Sequence, residues 1–357
     1  MKINVRLIKM NNLKLQLEKY SNMIGVSGNE ENIACEIEKD AMGFGNTNFG
    51  RSSMGDAIIY GGKRDSRNTC AIFAHMDEIG LMVSDIDEKG FISFVGIGGW
   101  YWNTAVSQDV IFENGVVGVI GSKPPHAMKP EEMKAGAKLE NLFIDIGAKT
   151  AGEVSESGIK IGSTAVSNTK FQNLNNDMVT GKCLDNRAGV VVMLEVMRTV
   201  RPINRVIGVG TVQEEVGLKG AKVMSERLHP DLAIVIDTTL SGDHPGFTRK
   251  QAGAASGKVS ITIADGAGRG ILVPKHVIKY VKDIARKYLI PVEYSVSDGG
   301  TTDGMATHGN GIPTIVVSIP TRYIHSPVEV LDMNDVKDAI KLIVALCENY
   351  NRDYLVE

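Results

Sequence analysis

The chain has 357 residues, 43 % of them hydrophobic and 23 % charged, with a formal net charge of −3. That is the composition of a soluble globular protein, too long for one ordinary core, so two domains are expected. Acids and bases are interspersed with no basic face, which argues against nucleic acid as a partner, and no apolar run nears the ~18 residues of a membrane span.

The first twenty residues, MKINVRLIKMNNLKLQLEKY, interrupt their apolar positions with Lys, Arg and Asn. They read as an amphipathic first helix and not as a signal-peptide core. Residues 13–42 are expected to be helical around a glycine-containing turn, with Ser27 or Asn29 capping the second helix. Short β-like runs follow at 56–62 and 69–75. From 84 to 173 the strand-like pieces are short and punctuated by glycine, and Pro124, Pro125 and Pro130 break the middle. This predicts a small β-rich domain inserted into a larger one made of residues 1–83 and 174–357. From 183 onward strand and helix alternate: helices at 185–200, 217–228, 274–289 and 333–350, strands at 205–212, 231–237 and 313–319. Such alternation implies an α/β fold whose mostly parallel sheet is covered on both faces. Cys35, Cys70, Cys183 and Cys347 are scattered, with no C-x-x-C pair, as expected of free thiols in a cytoplasmic protein.

Open α/β sheets bind ligands beyond the carboxyl ends of their strands. His75 and Asp77 follow the apolar run CAIFA. Glu214 and Glu215 follow RVIGVGTVQ, and Asp237 follows DLAIVI. His325 lies just past PTIVVSI, and Asp185 opens a helix after GKCLD. All fall at one edge of the expected sheet. Taken singly, each has an ordinary reading as a loop, turn or cap residue; their common placement favours a joint role. Imidazoles mixed with carboxylates suit Zn, Co or Mn. There are too many donors for one tetrahedral ion and enough for two ions sharing a carboxylate. Of the adjacent Glu214 and Glu215, one serves as ligand and the other as general base, and Asp77 is placed to orient His75. The other histidines are read as structural, His244 in SGDHPG being the nearest rival.

AHMDEIG, LDNRAG, QEEVGLKGA, DTTLSGDHPG and IPTRYIHSPVE resemble the tetrahedral and glutamyl aminopeptidases, metallopeptidase family forty-two. GSKPPHAMKPEE and FIDIGAK resemble that family's second domain. The resemblance implies a zinc-exopeptidase-like three-layer catalytic domain, a β-rich insert that mediates dimerisation, and dimers that commonly build hollow tetrahedral dodecamers. It implies removal of N-terminal residues from short peptides. One metal would be held by His75, Asp185 and Asp237 and the other by Asp185, Glu215 and His325. Glu214 would be the base and Asp77 the carboxylate behind His75. Zinc is the first expectation for the two divalent ions, with cobalt or manganese as alternatives. The chain departs from the family at GGTTDGMA, where a Thr is added and Gly304 replaces Ala, in a loop expected to line the pocket for the first side chain. Two other functions are consistent with the same ligands: a deacylase or carboxypeptidase-like amidohydrolase, and a non-catalytic assembly stabilised by metal. The glucanase label that some members carry is discounted, because glycosidases need a bare carboxylate pair.

Overall fold

Four apolar runs form the centre of the molecule. In this computed structural model, which describes residues 9–45, 47–201 and 204–352, the strands Arg205–Thr211, Thr69–His75, Leu232–Leu240 and Thr314–Arg322 lie side by side in that order and run parallel. All four are buried over most of their length. That explains their continuous apolar character, since a strand covered on both faces has no solvent side to alternate with.

The flanks of this sheet are antiparallel. Ala57–Gly62 and Asn48–Arg51 extend one edge, and Glu329–Asp332, Met178–Gly181 and Gln172–Asn173 extend the other. Val259–Ala264 and Val292–Val296 branch from Thr314–Arg322 and bring the sheet to eleven strands. Helices Leu184–Thr199, Met333–Asn349 and Met10–Asn22 pack together on one face, and Lys219–Leu228 and Asp303–Gly309 pack together on the other. The first helix buries Leu13, Leu17 and Tyr20 along one stripe. Residues 1–8 of the expected amphipathic segment lie outside the described residues. No helix among the described residues is long and apolar enough to cross a membrane.

A closed antiparallel barrel leaves the sheet after His75. Its strands run around in the order Gly80–Ile86, Ile92–Ile97, Leu142–Asp145, Val117–Ser122, Asp109–Phe112 and Thr164–Ser167. Ile92, Phe94, Val110, Phe112, Ile120 and Ile144 fill it. The barrel begins at Gly80, so the boundary expected after residue 83 falls inside its first strand. Gly80 marks the crossing point, because a Cβ there would lie 2.4 Å from Val26 Cγ2. The proline-broken middle is helical in part: Pro130 opens the helix Pro130–Ala135, at the position where a missing N–H costs nothing.

A buried ionic cluster fixes the exit from Thr69–His75. Glu78 accepts from Lys182 Nζ at 2.8 Å through both oxygens and from Arg187 at 3.3 Å. Arg187, with no exposed surface, also donates to the Tyr20 and Gly25 carbonyls. The carboxylate that follows Asp77 is therefore a tie between the first turn, the helix Leu184–Thr199 and the sheet.

Candidate metal centre

Parallel pairing places the acidic and imidazole residues together. Thr211 pairs with His75, so Glu214 and Glu215, three and four residues further on, emerge beside it. Asp237 lies on the next strand. Asp185 and Asn186 have non-helical backbone angles, and regular helix starts after them. Asn186 Oδ1 accepts from Gly189 N at 3.0 Å, so Asn186 is the effective N-cap, and the Asp185 side chain is not spent on capping.

His75 is buried, and its Nε2 lies 3.3 Å from Asp185 Oδ1, 3.7 Å from Asp237 Oδ1 and 4.0 Å from Glu214 Oε2. His325 Nε2 lies 3.4 Å from Glu215 Oε2 and 3.7 Å from Asp185 Oδ2. The structure thus gathers His75, Asp185, Glu214, Glu215, Asp237 and His325 around one point, with Asp185 between the two imidazoles. His244 lies apart, against the rings of Phe247 and Tyr323.

Asp77 has a wider part than its place behind His75. His75 Nδ1 is 3.1 Å from the Asp77 main-chain oxygen and 3.5 Å from its carboxylate. The carboxylate accepts from Ser27 Oγ at 2.6 Å and from the backbone N–H groups of Glu214 and Glu215 at 3.0 and 3.2 Å. Glu30 accepts from Gln213 N at 3.0 Å. Two buried carboxylates therefore hold the turn that presents Glu214 and Glu215. Ser27 belongs to this support and does not cap the second helix, Glu31–Met42, which has no side-chain cap.

The local electrostatics are those of a site built for cations. Burial pushes the Glu214 carboxyl well up; His75 opposes this, and Asp237, Asp303 and Glu215 add to it. Burial likewise carries Asp237 up to about 6. At Asp185 burial acts upward too, but the adjacent His75 outweighs it and holds the carboxyl below the ordinary range. The hydrogen bond to Glu215 raises His325 to about 9. Asp185 Oδ1 is buried without a hydrogen-bond partner. Bringing this many carboxylates together out of water is unfavourable unless a cation joins them. Three groups have donor atoms that all lie within 4.8 Å of one another: His75, Asp185 and Asp237; Asp185, Glu215 and His325; and His75, Glu214 and Glu215. The residues fit a pair of divalent ions.

Sequence reasoning did not single out Glu329. It is buried and accepts from Asp185 N at 2.9 Å and from His325 N at 3.2 Å. Its position four residues after His325 in HSPVE was the available signal. Glu329→Ala strands two backbone donors and loosens the Asp185 and His325 segments, so metal affinity is expected to fall about 10–100-fold, read by competition with a chelating dye. The barrel also reaches the site. A Cβ on Gly99 would lie 2.9 Å from His325 Nδ1, and Gly98 has a left-handed φ of 78°, so the 98–99 turn closes against His325 only as glycine.

Imidazoles and carboxylates converging at the carboxyl edge of a helix-covered sheet make a candidate metal centre of the kind that metal-dependent hydrolases use. The chain belongs to the M42 glutamyl aminopeptidase family, whose sequence profile matches residues 55–342. It is 35 % identical over 348 residues to the lysyl aminopeptidase of Pyrococcus furiosus, covering 93 % of this chain and 96 % of that one. Its fold matches the TET aminopeptidase of the marine sediment archaeon Thaumarchaeota archaeon SCGC AB-539-E09 with a TM-score of 0.91, at 30 % identity over 97 % of this chain and 98 % of the other. The Pyrococcus horikoshii TET1 peptidase, which can assemble into a tetrahedron or a large octahedral shell, matches with a TM-score of 0.83 at 32 % identity, over 95 % of this chain and all of that one. The protein is a metal-dependent aminopeptidase.

Proposed function

We propose that two divalent ions bind at this centre. One is held by His75, Asp185 and Asp237, the other by Asp185, Glu215 and His325, with Asp185 shared. The observation that carries this reading is that Asp185 belongs to both of these triads and stands between the two imidazoles, 3.3 Å from His75 Nε2 and 3.7 Å from His325 Nε2. The mixed imidazole and carboxylate set suits zinc first, then cobalt or manganese. Such an ion pair supplies Lewis-acid polarisation of a carbonyl and brings the pKa of water toward neutrality.

Glu214 is the acidic residue left once both triads are filled, and we assign it as general base. It takes a proton from the attacking water and returns it to the leaving amine as the peptide bond breaks. Asp77 positions it through the backbone N–H bonds of the 213–215 turn and steadies the His75 ring. The free α-amino group of a short peptide would bind beside an ion or an acidic residue of this centre, which restricts cleavage to the first residue.

Stripped enzyme reloaded with zinc should hydrolyse aminoacyl-p-nitroanilides and short peptides with free N-termini, and leave their N-acetylated counterparts intact. Cleavage of the capped set instead would favour the deacylase reading. Metal binding with no hydrolysis of either would favour the assembly reading.

The outer barrel wall exposes Val95, Val117 and Val119 to 44, 48 and 42 %, an apolar face on neighbouring parts of the barrel that supports self-association. We read the barrel as the dimerisation domain, with the tetrahedral dodecamer as the full assembly. Light scattering of the intact protein should give a mass of two or twelve chains, and a monomer at micromolar concentration would contradict this. All four cysteines are free thiols, in keeping with a reducing compartment such as the cytoplasm.

A further inference from the structure

The metal centre opens into a cavity of about 970 Å³. His75, Asp185 and Asp237 line one end, and Asp265 lines the cavity as well. Sheet register defines the surface between them. Asp237 pairs with Ser318. Ser318 Oγ lies 3.4 Å from Thr262 Oγ1, and Ser295 Oγ lies 3.5 Å from the same atom. Thr262 stands three residues before Asp265 on the strand Val259–Ala264 and the turn that follows it. Three hydroxyls thus stand along this part of the wall, with apolar Leu240, Ala252 and Val296 also lining the cavity, a mixed surface that suits an aliphatic stem with a polar end.

Asp265 has only 4 % of its surface exposed. The Ile271 N–H donates to Oδ1 at 2.6 Å, and a Cβ on Gly270 would lie 2.0 Å from that same oxygen, so the turn is wrapped around the carboxylate. Oδ2 is buried and has no partner. A buried carboxylate oxygen without a donor is unfavourable unless something supplies one. The charges at the mouth do not supply it: Lys250 and Asp298 are both exposed and of opposite sign, and water screens them.

We propose that Asp265 is a specificity-determining residue, and that it selects peptides whose first residue carries a long cationic side chain, lysine or arginine, by receiving its terminal N–H donors at Oδ2. The inference rests on the scissile bond lying at the proposed ion pair. From there the hydroxyl wall leads the substrate side chain past Ser318 and Thr262 to the carboxylate. Burial raises the Asp265 carboxyl above its usual range, against the Ile271 hydrogen bond and a smaller effect of His308 that lower it. A cation at Oδ2 would favour the ionised form. Norleucine has lysine's reach without its ammonium, and would leave that oxygen as it is.

The test uses zinc-loaded enzyme and peptides X-Ala-Ala, with X lysine, arginine, norleucine, leucine or glutamate, followed by kcat/KM. Thermal stabilisation by free L-lysine and free L-norleucine is measured in parallel. Lysine and arginine should exceed norleucine by at least about tenfold, and Asp265→Asn should cut that ratio by about 10–100-fold, the range for a lost charge-assisted hydrogen bond. The asparagine keeps an acceptor for Ile271. Norleucine or leucine matching lysine in the wild type would overturn the proposal whether or not the variant folds, and so would a lysine preference that survives in the variant. If no peptide is cleaved, the reaction assignment fails on its own. A lysine-selective thermal shift that Asp265→Asn abolishes would then still support the subsite, and equal shifts from lysine and norleucine would sink it.

Discussion

Glu214→Gln is expected to cut kcat by about 10²–10⁴-fold while the reloaded variant keeps its full metal content. Glutamine preserves the shape of the side chain and removes the proton acceptor. The turn that carries it is unaffected, because Asp77 grips the backbone N–H groups of residues 214 and 215 and not the Glu214 side chain. The same change should make the stripped protein slightly more heat-stable. Burial and the neighbouring acids Asp237, Asp303 and Glu215 all act against a negative charge at Glu214, and the substitution removes that charge. Elemental analysis, steady-state kinetics and a melting curve on one preparation check all three points. Metal lost together with activity would make Glu214 a ligand and leave the base unassigned.

Asp185→Ala should be more damaging still, because it removes the only carboxylate placed in both triads. Its oxygens reach His75 Nε2 at 3.3 Å and His325 Nε2 at 3.7 Å. Without it neither triad is complete, so the variant should bind fewer than two ions and hydrolyse nothing measurable. Stability supplies an independent reading. An ion that binds only the folded chain stabilises it by about 2.7 kcal/mol at a hundredfold excess over its dissociation constant. The wild-type melting temperature should therefore rise on zinc addition, and this rise should largely vanish in Asp185→Ala. A variant that still holds two ions and melts like the wild type would show that Asp185 is not shared between them.

The clustering of His75, Asp185, Glu214, Glu215, Asp237 and His325 was legible because strand order and pairing bring the ends of these runs together. His75, Glu214, Asp237 and His325 each follow an apolar run, and parallel pairing aligns the ends of such runs whatever the loops do. Of the support behind them only Asp77, two residues from His75, was legible, because the rest comes from contacts remote in the chain. Ser27 reaches Asp77 across 50 residues, Glu329 reaches Asp185 across 144, and Glu30 reaches Gln213 across 183. Nothing local in VSGNE distinguishes Ser27 or Glu30 from ordinary turn residues, and for Glu329 the one local signal is its place four residues after His325.

Asp303 illustrates the same limit. In the unusual GGTTDG run, Gly299 to Thr302 line the cavity as the loop was expected to do. Asp303 turns inward, accepts from Thr211 Oγ1 at 2.5 Å, and is raised to about 7 by burial. The antiparallel flanks beyond Ala57–Gly62 and the barrel's first strand were harder to read for a different reason. Strands of two to four residues such as Gln172–Asn173, Met178–Gly181 and Glu329–Asp332 are too short to show a period, and Gly80–Ile86 starts only five residues after the end of the strand before it.

The most direct measurement is a zinc titration of the stripped protein, with bound ion and hydrolysis of a free-amine peptide followed in the same samples. The two-ion centre predicts saturation at two zinc ions per chain, with turnover completed only as the second site fills. Saturation at one ion with full activity, or turnover by the stripped protein, would contradict it.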